Sequence, residues 1–326
     1  MAFSNSYDTT SPGSAALNRE QLLDSVEMLA PEQTPCYSTA TKIKATATFV
    51  EWGLDKLSSP STTAVAEGSD VQDFTDAFEN VARVGNYVHK LRRNYMVSDI
   101  QEAVTSVGPQ DIARAQMKAT MELKRDIEAT LLGTQDRAAP DGAGTASTLR
   151  GLGDWIDSAG PSDVPAAYRT PAGSIHASGT FSETVLNNLI TSIYRTSGEA
   201  QNLTLLADTA LRRVISDFAR ADTTSGAYRT FNASSSDATI TLKVSQYDSD
   251  HGIVSIVNMN PDCAPDTTNK DTGYIINPSK YSVAELIPIG VTAGINQGGG
   301  PRGWVDWTGT LRVAHPAAHG KITVLS

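Results

Sequence analysis

The chain has 326 residues, with 36 acidic against 26 basic side chains and a formal net charge of −10. That length allows two compact modules or one large mixed domain, and that charge argues against electrostatic wrapping of nucleic acid or adhesion to an anionic membrane, since both need basic surface. No run approaches the ~20 apolar residues of a membrane span. The opening MAFSNSYDTTSPGSAALNRE lacks the basic patch and apolar run of a signal peptide, so Cys36 and Cys263 are expected as free thiols of a protein made in a reducing cytoplasm.

Residues 1–15 are rich in Ser, Thr, Gly and Pro. Asn18 with Gln21 can cap a short amphipathic helix carrying Leu22, Val26 and Leu29, ended by Pro31, and Pro35 then forces an extended path. From Thr39 to Trp52 small and β-branched residues alternate with others, which predicts a strand, and a second strand-like run covers Val81–Val97. The connection between them is polar and acidic, with Asp55, Glu67, Asp70, Asp73, Asp76 and Glu79 against a single Lys56. The returning run instead carries Arg83, Lys90, Arg92 and Arg93 and no acid. A long two-stranded excursion with so little apolar surface is not stable alone and is expected to lie on another chain, with Asp70, Asp73, Glu79, Arg83, Arg92 and Arg93 as candidate contact residues.

The strongest signal is Ser98–Gly133. Ser98 and Gln101 have capping-box spacing for a short helix, Gly108-Pro109 interrupts it, and no further Gly or Pro occurs from there to Leu132. A long helix over 109–132 follows, with Ile112, Ala115, Ala119, Leu123, Ile127 and Leu131 as its apolar stripe. Ile112, Leu123, Ile127 and Leu131 are the predicted core contacts. Lys118 with Glu122 and Lys124 with Glu128 stand at the spacing that joins opposite charges on a helix surface, and Arg125 and Asp126 are expected to face outward.

Composition changes over 133–180, which is dense in Gly, Ala, Ser, Thr and Pro and reads as irregular, docked at Gly151-Leu152-Gly153-Asp154-Trp155-Ile156. Thr180 with Glu183 suggests a capping box for a helix bearing Phe181, Val185, Leu189 and Ile193. Asn202–Ala207 is strand-like, and Asp208 can cap a helix whose apolar face is Leu211, Val214, Ile215 and Phe218, with Arg212, Arg213 and Arg220 outward. Ile240–Val244 and Ile253–Val257 predict a hairpin, Gly273–Asn277 a short strand, and Pro278–Leu286 a turn with a possible helical turn. After a glycine-rich loop at 298–301, Trp304–Val313 and Lys321–Leu325 read as strands.

Chemistry is hard to find. His89, His176, His251, His315 and His319 show no metal-binding spacing, no GxSxG elbow is present, neither cysteine has a catalytic neighbourhood, and the glycine-rich loop lacks the Lys-Ser/Thr ending of a phosphate cradle. No catalytic, cofactor-binding or metal-binding residue is predicted.

Three blocks, TPCYSTATKIKATATFVEW (34–52), AVTSVGPQDIARAQMKATMELKRDIEATLLG (103–133) and AHGKITVL (318–325), resemble the tailed-bacteriophage major capsid proteins with the Hong Kong 97 fold, and ELKRDIE at 122–128 is the most telling piece. The resemblance implies an α+β fold with an N-terminal arm (1–38), an extended β-hairpin loop (39–97), a peripheral domain carrying the spine helix 109–132 and an irregular segment (98–180), an axial domain (181–285, its first helix assignable to either domain) and a return to the peripheral domain (286–326). It implies a non-enzymatic virion subunit that forms hexameric and pentameric capsomers and encloses double-stranded DNA without sequence-specific binding. Scaffold, portal and decoration proteins are its implied further partners, and no cofactor is implied. A cytosolic mixed α/β enzyme and a phage tail or decoration protein remain the alternatives.

Overall fold

The computed structural model describes residues 33–71, 74, 76, 78–104, 111–198, 202–218, 245–266 and 268–324. The helix expected near 18–30, the Gly108-Pro109 break, the strand at 240–244, Asp73 and Arg220 lie outside the described residues.

The elements in order are α1 (Pro35–Thr39), β1 (Thr41–Lys44), β2 (Phe49–Leu54), β3 (Ala82–Tyr87), β4 (His89–Met96), α2 (Asp99–Ala103), α3 (Asp111–Leu132) and α4 (Leu152–Trp155), then β5 (Ile175–His176), α5 (Glu183–Ser197), β6 (Asn202–Ala207), α6 (Thr209–Phe218), β7 (Gln246–Ser249), β8 (Gly252–Asn258), β9 (Gly273–Ile276), β10 (Tyr281–Gly294), β11 (Arg302–Val313) and β12 (Gly320–Ile322). They form a four-stranded sheet ordered β1-β10-β11-β4, a six-stranded sheet ordered β5-β12-β9-β6-β8-β7, and a two-stranded ribbon of β2 and β3.

The 22-residue α3, about 33 Å long at ~1.5 Å per residue, packs on β4 and β11. Leu123, Ile127 and Leu131 are fully buried, Ala119 nearly so, and Ile112 is only partly covered. Each large aliphatic side chain removed from water contributes about 1.5–3 kcal/mol, so the C-terminal two-thirds of the stripe fastens the helix. Trp307 of β11 and Trp155 of α4 are fully buried in the same core.

A second core lies between α5, α6 and the six-stranded sheet. Leu186, Leu189, Ile190 and Ile193 from α5 and Leu211 and Ile215 from α6 meet Leu203, Leu205 and Ala207 of β6, Val254 and Ile256 of β8, and Ile275 of β9. The intervening residues, Leu206 of β6 with Tyr274 and Ile276 of β9, point to the other face and join the α3 core. Strand alternation thus makes this sheet the shared wall of both cores.

Several expectations are corrected. The strand foreseen over 39–52 is broken at 45–48, and its halves part: β1 pairs in parallel with β10, whereas β2 pairs with β3. The returning run likewise divides at buried Val88, and β4 leaves the ribbon to pair antiparallel with β11. The cause is a crossing point: Val88 N–H donates to Thr48 O, and Ser147 Oγ donates to Val88 O. The segment 278–286 is a 3-10 turn at Pro278–Lys280 followed by the 14-residue β10, whose register shifts near Glu285, Ile287 and Gly290 hide the alternation of a strand. Ser182, not Thr180, caps α5, accepting from Val185 N–H, and Gly198 closes that helix at a φ of 68°. Ser98 makes no side-chain cap, and Gln101 instead donates to Asp111 at 2.9 Å. The last strand covers Gly320–Ile322, pairing with β9 and β5.

Candidate assembly interface

The ribbon of β2 and β3 leads into and out of a loop between Leu54 and Ala82. Along that excursion Leu57, Phe74 and Phe78 are 92%, 90% and 75% exposed, and Val65, Val71 and Val81 are also exposed. Surface aromatics and aliphatics strung along a polar loop mark a surface meant to be covered.

The root of the ribbon, by contrast, is rigid. Asn86 is fully buried; its Nδ2 donates to Leu311 O at 2.9 Å and to Arg150 O at 3.2 Å, while its Oδ1 accepts Arg150 N–H. The Arg150 guanidinium, almost fully buried, lies 2.6 Å from Asp136, 2.7 Å from Asp163 and 2.9 Å from Asp154 and stacks on Trp155. Burial alone would lower its pKa, but the bonds from Asp163 and Asp136 reverse this and hold it above the ordinary value. Arg137 adds a bond to Gly85 O, an ion pair of 3.1 Å with Asp163 and a cation–π contact with Phe49. Gly85 is required here because a Cβ would lie 2.8 Å from Val50 O, Phe49 Cζ and Glu51 Cγ. Trp52 packs against Trp155 in a tilted contact with ring centroids 5.5 Å apart, and Tyr168 donates its hydroxyl to Asn80 O at the loop's exit. An exposed, apolar-studded loop therefore stands on a stem held at its base by buried ion pairs.

The predicted contact residues are placed as follows. Asp70 and Glu79 are exposed on the loop. Arg83 pairs with Glu51 across the ribbon, Arg93 reaches Asp126 of α3 in a two-bond pair with a shortest distance of 2.5 Å, and Arg92 lies 3.7 Å from Asp306, which also meets Lys90 at 3.4 Å. Arg83 is exposed and Arg92 and Arg93 are half-exposed, so solvent screens these pairs and they add little to stability. Asp126 and Arg125 do not simply face outward as expected, since Arg125 pairs with Asp262 at 2.5 Å. Lys118 and Glu122 do approach, at 3.9 Å. Glu128 departs from the expected pair with Lys124: it is fully buried, and its two oxygens accept the backbone N–H groups of Cys36 and Tyr37 at 2.8 Å.

Sequence reasoning did not single out Asn86 or Arg150, and it gave Glu128 a surface partner rather than its buried one. The only available signal for Arg150 is the run of acids Asp136, Asp154 and Asp163 on either side of it.

The remaining chemistry is structural. Cys36 and Cys263 are buried free thiols, and burial pushes Cys263 up to about 11. Burial lowers His319 to about 3, leaving it neutral. Among the described residues no cluster of His, Cys, Asp or Glu could hold a metal ion, and no helix is long and apolar enough to cross a membrane.

A long helix laid on a sheet, a second sheet walled by two helices, and a two-stranded ribbon leading into an exposed loop define the class of Hong Kong 97-type capsid subunits. Solved structures share this architecture. A capsid chain of the native GTA particle superposes with a TM-score of 0.63 at 13% identity, covering 98% of this chain and 99% of that one. A chain of Gordonia phage Cozz gives 0.59 at 14% identity (98% and 97% covered), and one of Mycobacterium phage Adephagia 0.58 at 11% identity (95% of each). The sequence matches the SU10 major capsid protein family over residues 5–326, and the chain belongs to that family. It is a phage head shell protein that self-assembles as part of the virion. No curated protein matches it in sequence.

Proposed function

We propose that the subunit builds an icosahedral shell of hexameric and pentameric capsomers around double-stranded DNA, and that its whole mechanism is assembly, without a catalytic step. It is made in the host cytoplasm and meets scaffold, portal and decoration proteins as the head is completed. The observation that carries this reading is the loop: Leu57, Phe74 and Phe78 stand in solvent on a stem fixed by Asn86 and Arg150, an arrangement that makes physical sense only when another subunit covers the loop.

In this proposal residues 1–38 form the N-terminal arm and 39–97 supply the extended loop. Residues 98–180 with most of 286–326 make the peripheral domain around α3, and 181–285 make most of the axial domain around α5 and α6. The two cores support that division, although β10 begins within the axial range and belongs to the α3 sheet, and β12 belongs to the other. Either the acidic stretch bearing Asp70, Asp73 and Glu79 or the basic strand bearing Arg83, Arg92 and Arg93 meets opposite charge on a neighbouring subunit. A net charge of −10 keeps the shell from adhering to packaged DNA.

Sizing chromatography with electron microscopy tests the proposal. Closed shells or ring-shaped capsomers are expected. A small closed oligomer would point to an enzyme, and tubes or spikes to a tail or decoration role.

A further inference from the structure

The side of α3 that Glu128 presents to α1 continues toward the start of the helix. Ala113, Met117, Met121, Lys124 and Glu128 follow at spacings of four, four, three and four, so they share one face. At Glu128 that face is covered, because Cys36 and Tyr37 donate their backbone N–H groups to its carboxylate. Further back it opens into a shallow hollow of about 320 Å3, lined by Ala113, Gln116, Met117, Thr120, Met121 and Lys124. Among the described residues no second element lines the hollow, and Met117 is 47% exposed in it. Two thioethers beside an alanine and a threonine make an adaptable seat for an apolar partner.

The chain preceding the described residues begins where it can reach this seat. Gln33 is held beside the turn of α3 that carries Arg125: its carbonyl O accepts from Asn260 Nδ2 at 2.9 Å, and Asp262, two residues on, pairs with Arg125 at 2.5 Å. Ala30 stands three residues before Gln33, hence within about 10 Å of that point at ~3.3 Å per residue. It ends the segment 18–30, whose spacing predicts an amphipathic helix with Leu22, Val26 and Leu29 on one side. Such a helix measures about 20 Å at ~1.5 Å per residue, and the face from Ala113 to Lys124 about 17 Å. Segment and hollow thus agree in length, in apolar character and in point of attachment.

We propose that residues 18–30 lie along this face of α3 in their own subunit, running from its Ala113 end to its Lys124 end, with Leu22, Val26 and Leu29 on Met117 and Met121. So placed, the segment closes over the long helix and shields its methionines from other chains. The inference concerns the single subunit, and its failure leaves the shell and the loop's docking as they stand.

Methionine oxidation tests it in the full chain, at concentrations too dilute for assembly. Hydrogen peroxide converts an accessible thioether to the sulfoxide and is itself reduced to water, and mass spectrometry reads the rate at each methionine. Wild type is compared with a chain carrying Leu22→Ser, Val26→Ser and Leu29→Ser. Met117 and Met121 are expected to oxidise about tenfold faster in the variant, while Met96, exposed on β4, keeps its rate as the internal reference. Equal rates at Met117 and Met121 in the two proteins overturn the proposal. A second chain, Val26→Cys with Met117→Cys, is treated with oxidised glutathione, which is reduced to two thiols as the protein disulfide forms. Peptide mapping should find positions 26 and 117 joined within a monomer on a non-reducing gel. A dimer joined through these positions, which would seat the segment on a neighbour, overturns the proposal, as does the absence of the disulfide.

Discussion

Glu128 holds the backbone of Tyr37: its Oε2 accepts the Tyr37 N–H at 2.8 Å while Oε1 accepts that of Cys36 at the same distance. No cation shares in the contact, so a carboxylate of the long helix is the acceptor for the first turn of α1. Tyr281, which donates to Cys36 O, and the Cys36 thiol face it from β10 and α1, and the Cys263 thiol lies near it. Burial pushes Glu128 up to about 7, partly offset by the two N–H bonds. An acid whose folded pKa lies above its unfolded value binds its proton preferentially in the native state. Its contribution is therefore complete below about pH 4.5 and is lost as pH rises to about 7. At ~1.4 kcal/mol per unit, about 3 kcal/mol is involved. Denaturant midpoints between pH 5 and 8 should fall with rising pH. Glu128→Gln should flatten that slope at a cost of about 1–3 kcal/mol, since its amide NH2 confronts a backbone N–H. Identical slopes in the two proteins would rule Glu128 out as the titrating group.

The α3 stripe makes a simpler case. Leu123 has no exposed surface, and Leu123→Asp would bury a carboxylate with no compensating cation, costing several kcal/mol and preventing soluble folding. Normal yield and an unchanged melting temperature would show that the helix face tolerates water.

Arg150→Met keeps much of the side-chain volume but leaves Asp136, Asp154 and Asp163 without their shared cation. Asp136 is solvent-exposed and Asp163 keeps its pair with Arg137, so the loss stays below that of a fully buried pair, at about 1–3 kcal/mol. Because the network sits beneath the ribbon, proteolysis of the loop should quicken in the same variant. Loss of stability with an unchanged cleavage rate would detach the network from the stem.

Loop docking by charge is best tested from the acidic side. Reversing Arg93 would also set a glutamate against Asp126 within the same chain, so the outcome would mix folding with assembly. Asp70→Lys with Glu79→Lys alters exposed positions, leaving subunit circular dichroism unchanged while lowering particle yield. Added salt should weaken wild-type assembly, as exposed charges are screened within about 10 Å at 0.1 M. Equal yields for variant and wild type across a salt series would assign docking to the aromatics alone.

What the sequence disclosed follows physical range. The α3 stripe was legible because Ala119, Leu123, Ile127 and Leu131 repeat at intervals set by the helix itself, and β6 because its apolar run is short and bounded. Glu128 was misassigned because surface pairing with Lys124 is a local rule, whereas its true partners lie 91 and 92 residues away. The strand β10 goes unread, with a turn expected over Pro278–Leu286 instead, because its register shifts around Glu285–Gly290 break the two-residue period. Val88 looked like the middle of one strand, and only the crossing with Thr48 and Ser147 divides it. Arg150 read as an ordinary loop arginine, since nothing local tells a buried guanidinium from a solvated one.

The pairing of α3 with β11 also has a consequence in time. A ribosome that has finished α3 must still add residues 133–301 before β11 begins, on the order of ten to thirty seconds at ~5–20 residues per second. Through that interval the stripe of Leu123, Ile127 and Leu131 has no sheet to lie on, which makes the nascent chain a client for holding chaperones. The ribbon's root is likewise unfinished until Leu311 emerges to receive Asn86. A half-translated chain therefore has no fixed stem with which to join its neighbours, and unfinished subunits are kept out of the growing lattice by the order of synthesis itself.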